Sequence, residues 1–285
     1  MISLRFWLCV YVCLIGLTEC FVQQVCASSS DSIKVEHLLR EASRLPADSN
    51  RVLFFAHSLT GTPYEAGTLE GKKQERLIVT LKSFDCMTFV ETVIALAWCD
   101  RLSQKTFADY CDKLRMLRYR NGVVDTYASR LHYFSDWVKD NSHKGVVRER
   151  TLEFEVDYRL LSLDFMTTHA NLYPALQDIS TLDSMRAVEK RWKNYRMPYV
   201  AKEALNASAG ALNICDGDIL ALTTLKEGLD VVHVGFACWV NGRLHLLHAS
   251  SLKGEVLLDP LSLYQYLKGR KNYSGVRIIS FGGEL

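Results

Sequence analysis

The sequence lacks any marked excess of charge, has few prolines and contains no CxxC pair. Its 285 residues carry 34 Lys and Arg against 32 Asp and Glu, so the formal net charge is +2. A chain this close to neutral has no electrostatic footprint for nucleic acid, and we expect no nucleic-acid partner. Five prolines and 16 glycines leave little room for long flexible linkers in a chain of ordinary globular composition.

Several catalytic signatures are also missing. The chain has no GxSxG elbow, no HExxH motif, no phosphate-binding loop and no GxGxxG fingerprint. The missing motifs argue against the classes of serine hydrolase, zinc protease and nucleotide-binding protein that carry them. A zinc site of the usual spacing has no support without a CxxC pair, so we expect neither a metal nor a cofactor.

The first 27 residues differ from the rest of the chain. One early positive charge, Arg5, precedes an apolar run from Phe6 to about Leu17, and Val25-Cys26-Ala27 follows where a signal peptidase reads. The run is shorter than the roughly 20 residues that a membrane span needs. We therefore predict a signal peptide over residues 1–27, a mature protein without a membrane span, and export to the periplasm or cell envelope.

Two alternatives to cleavage of the predicted signal peptide stay open. The signal could be retained as an anchor, which would keep the protein at the membrane. Alternatively, Cys20 could carry a lipid, although Glu19 stands where small residues are normally wanted.

Removal of the predicted signal changes the cysteine count. Nine cysteines fall to five once the four in the signal are removed, and the five are Cys86, Cys99, Cys111, Cys215 and Cys238. An odd number in an exported chain leaves at least one free thiol. Whether Cys99, Cys111, Cys215 or Cys238 form disulfides stays open, and the spare thiol needs an explanation.

Hydrophobic periodicity predicts helices in the first part of the chain. Apolar positions recur at helical spacing over 33–59, and Pro46 divides that region into two helices. A helix is predicted from Cys86 onward, with Asp85 or Ser83 as its N-cap. Its core-facing stripe consists of Phe89, Val90, Val93, Ile94 and Ala97. Further helices are predicted around 104–118 and 181–194.

The last quarter of the chain is typical of β-strands. Runs 218–224, 231–240 and 243–251 are β-rich, and GEVLLDP and GVRIISF predict further strands. Helices followed by antiparallel strands indicate an α+β fold. We predict one domain over residues 28–285, with an inserted helical segment around 104–210.

Asn241-Gly242 between two strand-like runs is a strong hairpin signal. A two-residue turn there pairs Gly235 with His248. His233 then lies on the same face as His248, with Cα atoms roughly 7–8 Å apart, whereas His245 lies on the other face. The rings of His233 and His248 would be close enough for one to orient the other.

Cys86 stands at the start of the apolar helix, directly after Asp85. A thiol attacks as its thiolate, and the positive end of a helix together with a nearby imidazolium lowers a cysteine pKa. A nucleophile, a base and a residue that orients the base form a triad in role, and we predict these roles for Cys86, His233 and His248. The alternatives are a cysteine that merely packs in the first turn, and a metal site built from the same three residues.

Four motifs in this order resemble those of the NlpC-type papain-like cell-wall hydrolases. That family carries a GxPY loop, a DCxxFV helix start, a strand beginning HVG or HVx, and a polar residue on the next strand. Here the motifs read Gly61-Thr62-Pro63-Tyr64, Asp85-Cys86-Met87-Thr88-Phe89-Val90, His233-Val234-Gly235 and His248. More narrowly, FDCMTFVE, RLHYFSDW, GLDVVHVGFA and LLHASS resemble the N-acetylmuramoyl-L-alanine amidase-like branch.

The resemblance implies a papain-like α+β fold in a bacterial cell-envelope protein. Its core would consist of N-terminal helices, with the nucleophile at a helix N-terminus, packed on an antiparallel sheet. The resemblance also implies hydrolysis of the amide between the muramic acid lactyl group and L-alanine, with a leaning toward small anhydro-muropeptides. Met87-Thr88 replaces the typical Ser-Gly, and Glu-Ala-Gly after Tyr64 replaces the frequent aromatic-Gly-Gly, so the pocket departs from the commoner pattern.

The resemblance also implies roles for residues around the nucleophile. Tyr64 would lie beside Cys86, and Asp85 would contact the substrate or hold the pocket. The backbone N–H of Cys86 would meet the developing oxyanion.

Two stretches have no counterpart in the minimal fold, namely RYRNG at 118–122 and RLHYFSDW at 130–137. We predict Ser129, Arg130 and His132 as pocket residues. The arginines Arg118, Arg120 and Arg130 could bind substrate carboxylates, and Tyr133 or Trp137 could stack on a sugar face. The alternative is that this segment is core with exposed arginines.

The predicted function is therefore that of an exported, monomeric cysteine amidase that acts on peptidoglycan fragments in cell-wall turnover or recycling. One alternative is an endopeptidase that keeps the triad and cuts between D-glutamate and the diamino acid of the stem peptide. Another is a non-catalytic module that binds muropeptides.

Overall fold

A computed structural model describes residues 25–71, 74–207 and 212–282 of the chain. The predicted signal peptide lies mostly outside these residues. Val25 and Cys26 form a short strand, β1, which pairs in parallel with Leu77–Ile78, called β2 below. None of the helices in the described part of the chain is both long and apolar enough to cross a membrane.

The helices of the first part of the chain lie close to their predicted positions. Five of the longer helices follow a polar residue whose side chain accepts a backbone N–H, as N-cap residues do, whereas the helix that begins at Phe134 has no such cap. Pro46 lies between the first two helices and so separates them. In chain order they are α1 (Ser29–Ala42), α2 (Arg51–Ser58), α3 (Cys86–Cys99), α4 (Phe107–Arg118), α5 (Phe134–His143), α6 (Phe165–Thr168), α7 (Ile179–Lys190) and α8 (Leu263–Lys268).

One antiparallel sheet forms the other layer of the fold. Its strands are β3 (Val147–Glu149), β4 (Asp157–Leu161), β5 (Tyr195–Ala201), β6 (Ile219–Thr224), β7 (Val231–Val240), β8 (Arg243–Ser250), β9 (Glu255–Ser262) and β10 (Tyr273–Phe281). Across the sheet the order is β4-β5-β10-β6-β7-β8-β9, and β3 pairs with β10 beside β5. The fold is therefore a mixed α+β fold, as predicted.

The hairpin of β7 and β8 has the predicted register. Cys238 pairs with His245 and Phe236 with Leu247, across a turn at Asn241 and Gly242, both of which have positive φ. Positive φ at both central residues is what a type I′ turn requires, and Asn-Gly adopts it readily.

Apolar side chains cover both faces of the sheet. Val234, Phe236 and Leu247 point to the layer of α1 to α4, where Phe89 of α3 packs edge-on against Phe236 with ring centroids 5.6 Å apart. Leu246 of β8 and Leu263 of α8 belong to the core on the other face. The aromatic contact packs the start of α3 against β7.

The segment at 104–210 differs from the predicted helical insertion. Helix α4 belongs to the main helical layer, because its buried residues share the core of α3. Strands β3, β4 and β5 also fall in this segment and extend the sheet beyond β10. The sequence prediction missed these strands because β4 and β5, at one edge of the sheet, carry many exposed or half-exposed side chains and show no clean apolar alternation.

Candidate active site

Cys86 is the first residue of α3, as predicted, and Asp85 is the N-cap. The Asp85 carboxylate accepts the backbone N–H of Thr88 at 2.7 Å and the Thr88 hydroxyl at 2.8 Å. The Thr88 hydroxyl oxygen in turn accepts the backbone N–H of Asp85 at 3.0 Å. This reciprocal capping box holds the cysteine at the helix N-terminus. It also gives Thr88 a structural role.

The pKa of the thiol moves in the opposite direction to the sequence prediction. Burial of the sulfur and the adjacent Asp85 carboxylate raise the pKa of Cys86 to about 12. Backbone N–H groups of Val234, Cys86 and Met87 oppose that rise, in keeping with a position at the helix start. Desolvation is the larger effect here, so the resting protein carries a neutral thiol.

The two predicted strand histidines meet directly. Nε2 of His233 lies 2.5 Å from Nδ1 of His248, and the ring centroids are 4.7 Å apart at an interplanar angle of 86°. Burial, followed by the neighbouring His248 and Arg270, lowers the pKa of His233 to about 3. Both histidines are buried, so both rings are neutral at neutral pH and share one hydrogen bond.

Gly235 makes this approach possible. A Cβ built at Gly235 would lie 2.8 Å from the Cβ of His248 and 2.8 Å from the carbonyl oxygen of Leu247. Real side chains do not approach so closely. The glycine of the HVG motif therefore leaves space for the His248 side chain on the shared face of the hairpin.

Asp259 of β9 is a further polar neighbour of the pair. Its Oδ2 lies 3.5 Å from Nε2 of His248, and the backbone N–H of Leu261 donates to its Oδ1 at 2.9 Å. The negative charge of Asp259 raises the pKa of His248 against the larger, lowering effect of burial. His245, on the other face as predicted, donates from Nδ1 to the carbonyl oxygen of Asp259 at 2.9 Å.

Three tyrosines lie within electrostatic range of the thiol. Burial raises the pKa of Tyr64 to about 12, and a charge on Cys86 would raise it further. Burial also raises the pKa of Tyr266 from α8 and of Tyr273 from β10, and a charge on Cys86 would add to both shifts. Tyr64 is held in place by its backbone N–H, which donates to the carbonyl oxygen of Gly254 at 2.7 Å. The predicted neighbour Tyr64 is thus joined by two tyrosines that the sequence did not single out.

Arg270 places a positive charge on the same side of the sheet. Its guanidinium stacks on the ring of Tyr266 at 3.5 Å and lies 5.9 Å from that of Tyr273, and Nη1 donates to the Tyr266 carbonyl oxygen at 2.7 Å. Its charge lowers the pKa of both His233 and His248. Within the described residues it forms no ion pair with a carboxylate. Arg270 is therefore a half-exposed cation that faces the histidine pair.

The predicted pocket residues Ser129, Arg130 and His132 lie together around one turn. The Ser129 hydroxyl donates to the carbonyl oxygen of Thr126 at 2.6 Å, and Nε2 of His132 donates to that of Tyr127 at 2.8 Å. Burial lowers the pKa of His132 to about 3. These contacts are internal to the segment, and a role for the three residues in binding stays a prediction.

The arginines that the sequence offered for substrate carboxylates are already paired. Arg118 is 3% exposed and donates to Glu91 at 2.6 Å, and Arg120 lies 2.5 Å from Asp136. Arg130 is also buried and donates from Nη2 to a carboxylate oxygen of Glu70 at 2.8 Å. Their charges are neutralised within the protein, so the prediction that they bind carboxylates finds no support in this geometry.

The remaining predicted aromatic residues are part of the core. Trp137 is fully buried, and the hydroxyl of Tyr133 donates to Glu189 at 2.7 Å, so neither ring offers a free face for a sugar.

The cysteines form no disulfide within the described ranges. Cys99, Cys111 and Cys238 are buried thiols, whereas Cys26 and Cys215 are exposed. No cluster of three or more His, Cys, Asp or Glu side chains suited to a metal ion occurs in the part of the chain that the structure describes.

Sequence reasoning missed Asp259, Tyr266, Arg270 and Tyr273. For Asp259 a signal exists, because β9 pairs Leu257 with His248 and strand alternation places Asp259 on the same face. No comparable signal exists for Arg270, which follows a short helix and reaches the site through the packing of α8.

Helices packed on an antiparallel sheet give this chain a mixed α+β fold of the kind found in amidase structures. A family model described as N-acetylmuramoyl-L-alanine amidase-like matches residues 55–276. The chain belongs to this family. Membership links it to amidases and to a peptidoglycan-related substrate.

Solved structures agree with this placement. An N-acetylmuramoyl-L-alanine amidase from Bacteroides uniformis is 32% identical, with a TM-score of 0.77, and the match covers 81% of this chain and 98% of that one. A putative xylanase from Bacteroides fragilis is 38% identical, with a TM-score of 0.75 and coverage of 80% and 99%. Protein LPG0564 from Legionella pneumophila is 23% identical over 89% and 95% of the two chains, and with a TM-score of 0.68 it shares the fold. A search of curated proteins gave no significant match.

Proposed function

We propose that this protein is an exported cysteine amidase that cleaves the amide between muramic acid and L-alanine in peptidoglycan fragments. Cys86 is the proposed nucleophile, His233 the base and His248 the residue that orients the base. The observation that carries the proposal is the contact of His233 and His248, next to the strand residue Val234 whose N–H points to the Cys86 sulfur. The NlpC-type papain-like placement, suggested by the motif order, is part of the same proposal.

The mechanism follows from the resting protonation states. Because Nε2 of His233 is engaged by His248, its Nδ1 is the nitrogen left to accept the thiol proton. As the sulfur attacks the lactyl carbonyl carbon, His233 takes that proton, which avoids forming a free thiolate in a site that disfavours it. The backbone N–H groups at the start of α3 can receive the developing oxyanion.

The second half of the reaction uses the same base. The protonated His233 donates its proton to the departing amine of L-alanine, and a thioester joins Cys86 to the lactyl group. His233 then takes a proton from water, whose oxygen attacks the thioester carbonyl carbon and releases the acid. His233 then gives the proton that it took from water to the Cys86 sulfur as the thioester bond breaks. The thiol and the imidazole are both neutral again.

Arg270 is the proposed anchor for a substrate carboxylate. It is the half-exposed cation that faces the histidines, whereas Arg118, Arg120 and Arg130 are occupied by internal carboxylates. A guanidinium stacked on Tyr266 is pre-oriented for a two-point contact with a carboxylate. A stem peptide supplies carboxylates at its D-glutamate and at its terminus.

The test is mass spectrometry of a digest of 1,6-anhydro-N-acetylmuramoyl tetrapeptide, with wild-type protein and Cys86→Ala in parallel. We expect free anhydro-sugar and intact tetrapeptide from the wild type, and neither product from the variant. Cys86→Ala should retain the wild-type circular dichroism spectrum, since a small side chain is lost. An anhydro-sugar dipeptide product would assign the protein to the endopeptidase alternative, and full activity in Cys86→Ala would contradict the nucleophile.

The same assay tests the anchor through Arg270→Gln. We expect KM to rise at least about tenfold with a smaller change in kcat, because a charge-assisted contact to bound substrate is lost. Arg148→Gln is the matched control, since Arg148 is an exposed arginine on β3 whose partner is Glu153. Equal KM values for the two variants would contradict the role of Arg270.

A further inference from the structure

Beyond the three triad residues, the site contains a buried carboxylate at the far end of the histidine pair. Nε2 of His248 is buried, and among the described residues it has no partner closer than Oδ2 of Asp259 at 3.5 Å. Asp259 is itself 5% exposed. The polar atoms therefore form a line from His233 through His248 to Asp259, and Cys86 is the proposed partner of His233 at the other end.

We propose that Asp259 is a positioning residue that fixes the tautomers of both histidines, so that the His233 nitrogen facing Cys86 is a proton acceptor. The inference rests on the proposed role of His233 as the base.

The donor and acceptor capacity of each atom determines the tautomers. An ionised carboxylate only accepts hydrogen bonds, so Asp259 favours a proton on Nε2 of His248. A neutral imidazole carries one N–H, and Nδ1 of His248 must then accept. The 2.5 Å contact with His233 consequently needs a proton on Nε2 of His233. Nδ1 of His233 is left with a lone pair, which is what a base for the Cys86 thiol requires.

The opposite order of donors would disable the site. If His248 carried its proton on Nδ1, it would donate to Nε2 of His233, and His233 would present an N–H to the thiol. Nothing in the histidine pair itself selects between the two orders, because both are neutral and both satisfy the shared hydrogen bond. The Asp259 carboxylate selects the order in which His248 carries its proton on Nε2.

The substitution Asp259→Asn is the sharpest probe. The backbone N–H of Leu261 donates to Oδ1 of Asp259 at 2.9 Å, so the side-chain amide oxygen of the variant would take that place. The amide NH₂ would then face Nε2 of His248 and donate to it. Asp259→Asn thus reverses the donor order, whereas Asp259→Ala removes the bias without imposing the wrong order.

The proposal predicts that Asp259→Asn is more damaging than Asp259→Ala. We expect kcat to fall on the order of 10³- to 10⁴-fold in Asp259→Asn, the scale of a wrong tautomer in a triad, and about 10- to 100-fold in Asp259→Ala. KM should change little in either variant. Loss of packing or of stability alone gives the reverse ranking, because alanine removes more of the side chain.

A spectroscopic measurement reads the tautomers without activity. In the full chain labelled with ¹⁵N-histidine, His233 and His248 are assigned by their loss in His233→Gln and His248→Gln. We expect His233 to be protonated at Nε2 in the wild type and at Nδ1 in Asp259→Asn. Unchanged tautomers in Asp259→Asn, or a larger loss of kcat in Asp259→Ala, would overturn the proposal.

A matched control separates tautomer choice from burial of a carboxylate. Asp218 is also buried, its Oδ2 accepts from Arg150 at 2.9 Å, and its backbone carbonyl oxygen accepts the N–H of Ala237 on β7. Asp218→Asn should lower stability and leave kcat within about twofold of the wild type. A wild-type protein that cleaves no amide would contradict the proposed function, and the tautomer measurement would then decide on Asp259 alone.

Discussion

Cys86 combines a helix-start position with surroundings that disfavour its thiolate. The helix N-terminus stabilises negative charge by a fraction of a kcal/mol to about 2 kcal/mol, whereas burial of an ionised group costs more. Asp85, needed to cap α3, adds a negative charge beside the sulfur. The balance gives a neutral thiol and a neutral imidazole, which fits the proposed general-base mechanism rather than a preformed ion pair.

This balance predicts how Cys86 reacts with iodoacetamide. The thiolate is the reactive form, and with a pKa of about 12 its fraction rises about tenfold per pH unit between pH 7 and pH 9. We expect the alkylation rate at Cys86 to rise by that factor, measured by mass spectrometry of its peptide. The exposed Cys215 serves as an internal reference for the reagent. A rate at Cys86 that is constant from pH 6 to pH 9 would show an ion pair instead.

The β7–β8 hairpin is the element that brings His233 and His248 together. Its Asn-Gly turn sets the register, the register places Gly235 opposite His248, and the missing side chain at Gly235 lets the His248 ring reach His233. A shift of one residue would move one histidine to the other face. The contact of the two histidines therefore depends on the register that this turn sets.

The element-scale prediction compares two glycines of this hairpin. Gly235→Ala should reduce kcat at least about tenfold, because its Cβ would meet the Cβ of His248, and overpacking should cost about 1–3 kcal/mol of unfolding free energy. Gly242→Ala has open space around its Cβ but a φ of +74°, so it should cost about 1–2 kcal/mol and leave kcat unchanged. Urea unfolding and steady-state kinetics measure both effects.

An outcome with kcat intact in Gly235→Ala would contradict this account of the hairpin. A fall in kcat in Gly242→Ala equal to that in Gly235→Ala would show that general loss of stability, rather than the position of His248, explains the result.

At the scale of the whole molecule, buried histidines link stability to pH. Burial lowers the pKa of His132 and of His233 to about 3, against about 6.5 in an unfolded chain. Below pH 6.5 the unfolded state therefore binds more protons than the folded state, and stability falls as the pH falls. Each histidine contributes a loss of about 1.4 kcal/mol per pH unit until the folded pKa is reached.

His132→Gln tests this linkage away from the histidine pair. Between pH 7 and pH 5 the wild type should lose about 2 kcal/mol more unfolding free energy than the variant does. The comparison cancels the contribution of buried carboxylates such as Glu91, whose raised pKa acts in the opposite direction. His143→Gln removes an exposed histidine, and its unfolding free energy should change with pH as that of the wild type does. Parallel pH profiles for the wild type and His132→Gln would contradict the prediction.

The sequence by itself determined the local features of this protein. Apolar spacing located α3, a short polar residue at Asp85 or Ser83 marked its start, and Asn241-Gly242 set the register that pairs the strand histidines. These are properties of neighbouring residues, so spacing along the chain is sufficient to predict them. The family resemblance of the amidase-like branch was also readable from short motifs, and the family match confirms it.

Tertiary structure decided the features that depend on distant residues. The desolvation that raises the pKa of Cys86 comes from packing around the sulfur, which no spacing rule reports. Asp259 and Arg270 lie near the histidines but come from β9 and from the end of α8. Arg118 forms an ion pair with Glu91 of another helix and so is not available to a substrate. The charge, the burial and the hydrogen bonds of the site depend on residues from many elements, and these residues come together only when the chain is folded.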